Sequence, residues 1–431
     1  MTQREAFGIP ACIPLEGPSL QVMRQIISKV FGKKYGDDTF VPDSTSAREH
    51  SRFGNEYEHI RLQTEHAFQH HVDKNRELVC ALILTDDRNA FALSCETFDA
   101  VLVTTGLILE IQQRSRAAVN GLFNMPAHED VAGDNFKTAF KTAFPPQIGK
   151  DAALALHQIM YQTVMNCLLG HEFGHLARGH IIKSSSSNAA AVAPEGPADI
   201  ELLASDAASA KATKIGEQAF EVDADVQGMR WAKNELQTGR RVTPASETQF
   251  GNVFLWIQDD PARIQFVLTM AIQLMYVSLG AAYMTVEDLL SDERHPPTSL
   301  RVSVCADSML LAALSGDAAQ DQRAVDYTQE ARWIVAVTSL VTSLLQRADD
   351  DPRARMQANA ILKAPVKVTA RKAMNVLGLE PLTPERRLEA AQYLADRAQL
   401  MRRSLPGLQR TARWDLSRTV NWSVPEKMLT Q

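Results

Sequence analysis

The chain has few cysteines and no pattern among them. Cys12, Cys80, Cys95, Cys167 and Cys305 are an odd number, widely spaced, with no CxxC pair. That excludes a disulfide framework and a cysteine-based zinc site, and it predicts reduced, mostly buried thiols in a reducing, cytoplasmic compartment. A strong charge of one sign is also missing. The 45 Lys and Arg against 51 Asp and Glu leave a net charge of −6, which offers no electrostatic footprint for a nucleic-acid partner. Residues Met1 to Glu16 have neither a basic start nor a long apolar core, so no secretory leader is expected there. No repeat period is visible.

Long hydrophobic runs are nearly absent. The one candidate, Ile264 to Met284, holds about 21 residues, enough to cross a bilayer. It is interrupted by Gln265, Thr269, Gln273 and Ser278 and preceded by Asp259, Asp260 and Arg263, so the expectation is a buried helix and not a membrane span.

What the chain does have is His171-Glu-Phe-Gly-His175, at the end of a run from Asp151 to Leu169 that has no Pro or Gly until Gly170. Ala153, Leu154, Leu156, Met160, Val164, Met165, Cys167 and Leu168 make that run a buried helix. Residues four apart share a helix face, so His171 and His175 can both present an imidazole nitrogen to one metal ion. Glu172 falls beside the metal, where a carboxylate can take a proton from an attacking water. Buried His and Glu are costly unless something binds them.

A zinc ion held by two imidazoles needs a third protein ligand and keeps a fourth position for water or substrate. The segment Glu217 to Trp231 reads as a second helix on which Glu221 and Asp225 stand one turn apart. Glu221 can ligate, while Asp225 can accept the free ring N–H of a ligand His. Asp223, two residues from each, is expected to face away.

With these residues in hand, the chain resembles the gluzincin metallopeptidases, specifically the family of type I CAAX prenyl endopeptidases and heat-shock membrane proteases. Four ordered blocks carry the resemblance: Asn89-Ala-Phe-Ala92 with the following Val101 to Ile108, the HExxH segment with His180 closing an HxxxxH extension, Glu221-Val-Asp-Ala-Asp225 as ExxAD, and His295-Pro-Pro with Arg301. The resemblance implies zinc on His171, His175 and Glu221, Glu172 as general base, and Asp225 as the partner of a ligand His. It further implies that Asn89, Ala90, Phe91 and Ala92 border the cleft and pair with an extended substrate peptide, that His295 stabilises an oxyanion, and that Arg301 holds that loop to the core. The family's members are multispanning membrane enzymes, which this chain does not resemble, and the likeness covers only about residues 80 to 305. A weaker resemblance, on His171 to His180 alone, is to the Lit-type phage-exclusion proteases.

The expected fold is α+β and mainly helical, a gluzincin core with a small antiparallel sheet beside the HExxH helix and the second, Glu-bearing helix. Strands are expected at Glu77 to Leu84, Phe91 to Ser94 and Ala100 to Thr105. The chain divides into an N-terminal helical region 1–78, a peptidase core 79–306 and a C-terminal helical region 307–431. Within the core, 184–210 is expected to be mobile, because Ser184 to Ala198 is small and polar and ordering it buries little apolar area. The helix over Glu56 to Asn75 carries His66 and His70 at metal spacing without a following acid, so a solvated helix face is the default. The functional expectation is a zinc endopeptidase acting on a protein or peptide. A zinc-binding pseudo-enzyme or sensor on the same fold, and a small-molecule zinc hydrolase, are the rivals.

Overall fold

Strand-forming residues between 77 and 104 build one sheet in a computed structural model. The structure describes residues 39–40, 54–69, 77–83, 85–94, 98–124, 149–178, 180, 191–194, 209–238, 249–280, 301–302, 305–306, 316–348, 350–363 and 366–377, together with 383, 385 and 392. The strands are β1 (Thr39–Phe40), β2 (Glu77–Ile83), β3 (Ala90–Ser94), β4 (Phe98–Thr104) and β5 (Ala191–Pro194), in the order β1-β2-β4-β3-β5. Every residue of β3 and β4 is buried, so both faces of the sheet's centre are covered, which suits Val, Leu, Ala and Phe at alternating and intervening positions alike.

The sheet corrects the expectation of an antiparallel one. β2 and β4 run parallel, from Glu77 opposite Phe98 to Ile83 opposite Thr104, whereas β1–β2, β3–β4 and β3–β5 are antiparallel, so the sheet is mixed. The cause is topological. β4 returns between β2 and β3, and a strand antiparallel to β3 in that slot must run along β2.

β5 differs from expectation too, since it falls inside the small-residue stretch 184–198. Apolar burial was the wrong criterion there. The backbone of Ala191–Pro194 pairs with Phe91–Ser94, and an added strand needs only main-chain groups and side chains small enough to approach. Of the rest of the expected mobile loop, 184–190 and 195–208 lie outside the described residues, and 209–210 begin the helix Ser209–Thr238.

The junction from β4 into α2 (Thr105–Asn124) is held by hydroxyls. Thr104 Oγ1 accepts from Asn89 N at 2.9 Å and lies 2.6 Å from Asp87 O, to which it donates. Thr105 Oγ1 accepts from Thr85 N at 3.1 Å. Gly106 follows because nothing larger fits: a Cβ there would sit 2.3 Å from Asp86 O.

The other helices are α1 (Gly54–Gln69), α3 (Gly149–Arg178), α4 (Ser209–Thr238), α5 (Gln249–Gln258), α6 (Pro261–Ser278), α7 (Ala318–Gln346), α8 (Pro352–Lys363) and α9 (Val366–Val376). The chain forms two compact units. One comprises residues 1–109, 168–228 and 388–431 and contains the sheet and α1; the other comprises 110–167 and 229–387 and contains α5 to α9. In the second unit, α6 packs chiefly on α7 and α5. Asp260 caps α6 by accepting from Ala262 N at 2.9 Å, with Pro261 at the first turn, and its other oxygen accepts from Arg323 of α7 at 2.6 Å. Asp317 caps α7 in the same way, through Ala319 N and Gln320 N. From Ile264 to Ser278, α6 is buried on all sides, as expected of this run, and no helix among the described residues is long and apolar enough to cross a membrane.

Candidate metal centre

The HExxH residues occupy the last turns of α3, and the acidic block occupies the middle of α4. The two helices approach closely where side chains are smallest. A Cβ added to Gly174 would lie 3.2 Å from Ala224 Cα and 3.2 Å from Gln227 Cβ, so Gly174 and Ala224 together let the ligand-bearing faces meet. His171 and Glu221 stand about one turn before that contact on their helices, and His175 directly follows it.

His171, His175 and Glu221 are all buried and their ligand atoms lie within 4.8 Å of one another. The two Nε2 atoms are 2.9 Å apart, and Glu221 reaches them at 3.7 Å from His171 and 3.6 Å from His175. Ligand atoms about 2.1 Å from a tetrahedral ion sit about 3.3 Å from each other, so these separations fit one ion. The group can therefore hold a metal. Among the described residues it is the cluster of His, Cys, Asp and Glu side chains with that property.

The surroundings dictate where the imidazole protons sit. Asp225 Oδ1 lies 3.0 Å from His171 Nδ1, both fully buried, and an ionised carboxylate asks for a proton on that nitrogen. His171 Nε2 then carries a lone pair. On the other side, His175 Nδ1 lies 3.2 Å from His180 Nδ1, and His180 Nε2 lies 3.1 Å from Asp223 Oδ2. Arg178 donates to both oxygens of Asp223, at 2.6 Å and 3.1 Å. With Nδ1 protonated on both rings, the two Nε2 lone pairs face each other across 2.9 Å, an arrangement that a cation between them makes favourable.

Electrostatics agree with this assignment. Burial holds the His180 imidazole below its usual pKa, outweighing the hydrogen bond and charge of Asp223, so His180 is neutral. Burial alone would raise the Asp223 carboxyl, but the His180 hydrogen bond and the Arg178 guanidinium pull it below the usual carboxylate range, so Asp223 is ionised. His180 is further pinned by Phe220, whose ring stacks on it at 4.6 Å and 15°. Its backbone N–H donates to His175 O at 3.0 Å, which turns the end of α3 back over the second ligand.

His171, His175, Glu221 and Asp225 are brought together, and Glu172 is fully buried beside them on α3. Asp223 is not in the metal group, as expected, yet it is buried and organises Arg178 and His180. Two basic residues just past HExxH were the available signal, because buried Arg and His require an anion.

Asn89 to Ala92 lead into and begin β3. Asn89 O accepts from Thr104 N at 3.0 Å, and Phe91 and Ala92 pair with β4 on one side and with Pro194 and Ala193 on the other. A peptide would therefore join β3 only by displacing β5. Arg301 is buried, its guanidinium 4.7 Å from the Tyr276 ring centroid, while His295 lies outside the described residues. His66, on α1, is not part of the metal group. No family model, no curated protein and no solved structure matches the chain, so the site's own residues carry its functional reading.

Proposed function

We propose that the chain is a zinc-dependent endopeptidase of the gluzincin type, with His171, His175 and Glu221 as zinc ligands. The observation that carries the reading is a buried group of three ligands with a buried carboxylate, Glu172, next to the first of them on the same helix. A structural zinc site fills four protein positions, and three is the number that leaves room for a reactant. Zinc supplies polarisation of a carbonyl and acidification of water when bound. Glu172 accepts the water's proton and passes a proton to the leaving amine, and its burial strengthens that exchange by excluding bulk solvent. Asp225 holds the His171 ring in the orientation that offers Nε2.

The partner in this reading is a protein or peptide substrate. The scattered cysteines, of which Cys80, Cys167 and Cys305 are buried, support a reducing, cytoplasmic setting. One observation favours a second reading, a zinc-binding sensor or interaction protein without turnover. β3 is paired on both sides, which leaves no open edge at Phe91 and Ala92 for a peptide strand.

Cleavage of casein and of a cell-derived proteome by wild type and Glu172→Gln separates the two. The peptidase reading expects both proteins to bind zinc and the variant to lose at least about 100-fold in cleavage, the range for losing a general base. Equal cleavage by both, or none by either against every substrate in the proteome, contradicts it.

A further inference from the structure

The site contains more order than its ligands need. His180 and Asp223 are not metal ligands, yet they are buried, aligned and held by their own partners: Asp223 by Arg178, His180 by the Phe220 face. Neither belongs to the HExxH-plus-Glu set, and Asp225 already serves His171.

The alignment has a direction. Arg178 donates to both oxygens of Asp223, and Asp223 Oδ2 also faces His180 Nε2 at 3.1 Å. A His175 that gives Nε2 to a metal ion carries its ring proton on Nδ1, 3.2 Å from His180 Nδ1, which then accepts it. The His180 proton is left on Nε2, aimed at the carboxylate that Arg178 holds. The chain thus runs from the ligand through His180 to Asp223.

We propose that His180 and Asp223 are positioning residues that lock His175 in its metal-binding tautomer and ring orientation, with Arg178 fixing the charge that ends the chain. The two histidine ligands are served asymmetrically. His171 has a carboxylate in direct contact, whereas His175 has a neutral imidazole backed by a carboxylate. A neutral acceptor adds orientation without placing a second full negative charge against the metal group, which already holds Glu221 with Asp225 beside it.

The inference rests on the metal reading above, and the test separates the two. Zinc affinity of the full chain is measured by competition with a chromogenic chelator, for wild type, His171→Ala, His180→Leu, His180→Gln and Asp223→Asn. Cobalt(II) absorption spectra and the melting temperature of each metal-free protein accompany it. His180→Leu removes the acceptor for His175 Nδ1–H and is expected to weaken zinc binding 10- to 100-fold, the usual effect of losing such a support, with an altered cobalt spectrum. His180→Gln restores an accepting carbonyl and recovers part of that loss. Asp223→Asn offers an amide that can donate to His180 Nε2 and reverse the chain, so it weakens binding at least 10-fold.

A purely structural role would instead lower the melting temperature of both His180 variants and give Gln no advantage over Leu in zinc affinity, which overturns the proposal. Affinity in His180→Leu and Asp223→Asn within twofold of wild type also overturns it, while loss of zinc in His171→Ala leaves the metal reading standing. No zinc uptake by wild type removes both. If Asp223→Asn does not fold, the Leu and Gln pair at position 180 decides.

Discussion

The end of α3 and the whole of α6 are both buried helical segments rich in apolar residues, yet they treat polar groups in opposite ways. The last turns of α3 bury His171, Glu172, His175 and Arg178, followed by His180, and α4 answers with Glu221, Asp223 and Asp225. Named partners at 2.6 to 3.7 Å account for both outer arms of that cluster. α6 buries Gln265, Thr269, Gln273 and Ser278, all uncharged, and the amide of Gln273 has no hydrogen-bond partner among the described residues. Burying ionisable groups costs several kcal/mol each unless they are paired, so two facing segments that together bury eight of them are built around what they hold. α6 buries only groups whose isolation costs about 1–3 kcal/mol, which packing can offset. The first segment is organised by chemistry, the second by shape.

Removing one member of the α3–α4 network is the strongest way to break that contrast. Asp223→Ala leaves the Arg178 guanidinium buried without its anion and is expected to destabilise the fold by about 3–5 kcal/mol, read as a shifted urea midpoint. A change under about 1 kcal/mol would mean that the network is not the organising feature it is taken to be.

The same operation in α6 should have the opposite sign. Gln273→Met keeps the side-chain length and discards an amide that pairs with nothing described, so stability is expected to rise by about 1 kcal/mol. A clear loss of stability would show that Gln273 has a partner that matters, and α6 would join the chemically organised class.

The smallest effect sharpens the comparison at a half-buried group between the extremes. Burial holds His157 on α3 below its usual pKa of 6.5, against the pull of its contact with Gln112 O at 3.3 Å and with help from the charge of Arg116. The folded chain therefore binds fewer protons here than the unfolded chain just below pH 6.5, so this residue's contribution to stability is full above that pH and is lost as pH falls toward the depressed folded value. Urea midpoints at pH 7.5 and 5.5 should differ less in His157→Gln than in wild type; equal differences would contradict the assignment.

How much of this was legible beforehand depended on whether spacing or neighbourhood decided the outcome. Helical spacing is local, so it pairs His171 with His175 and Glu221 with Asp225; zinc's need for a third ligand joins the two pairs, and His171, His175 and Glu221 do lie within reach of one ion. β2, β3 and β4 were legible as strands within a residue or two, because β-branched and apolar runs mark them. Which strand lies beside which was not, since parallel β2–β4 pairing depends on where β4 is inserted. Helical angle keeps Asp223 out of the metal group, but the angle from Glu221 and Asp225 says nothing of its burial or its partners. The end of α3 wraps Arg178 and His180 far enough round to meet it. β5 was hidden by its composition, as Ala-Val-Ala-Pro bears no strand signature and its pairing is made by the backbone.

The buried group on α3 and α4 can hold one metal ion, and the metal content of the purified protein answers first whether it does. Wild type, His171→Ala and Glu221→Ala are purified, loaded with zinc, dialysed against buffer without chelator and measured by mass spectrometry of the metal. One equivalent in wild type, with little or none in either variant at retained helical content, is the predicted result. Wild type without metal, or all three proteins retaining the same amount, would contradict the account.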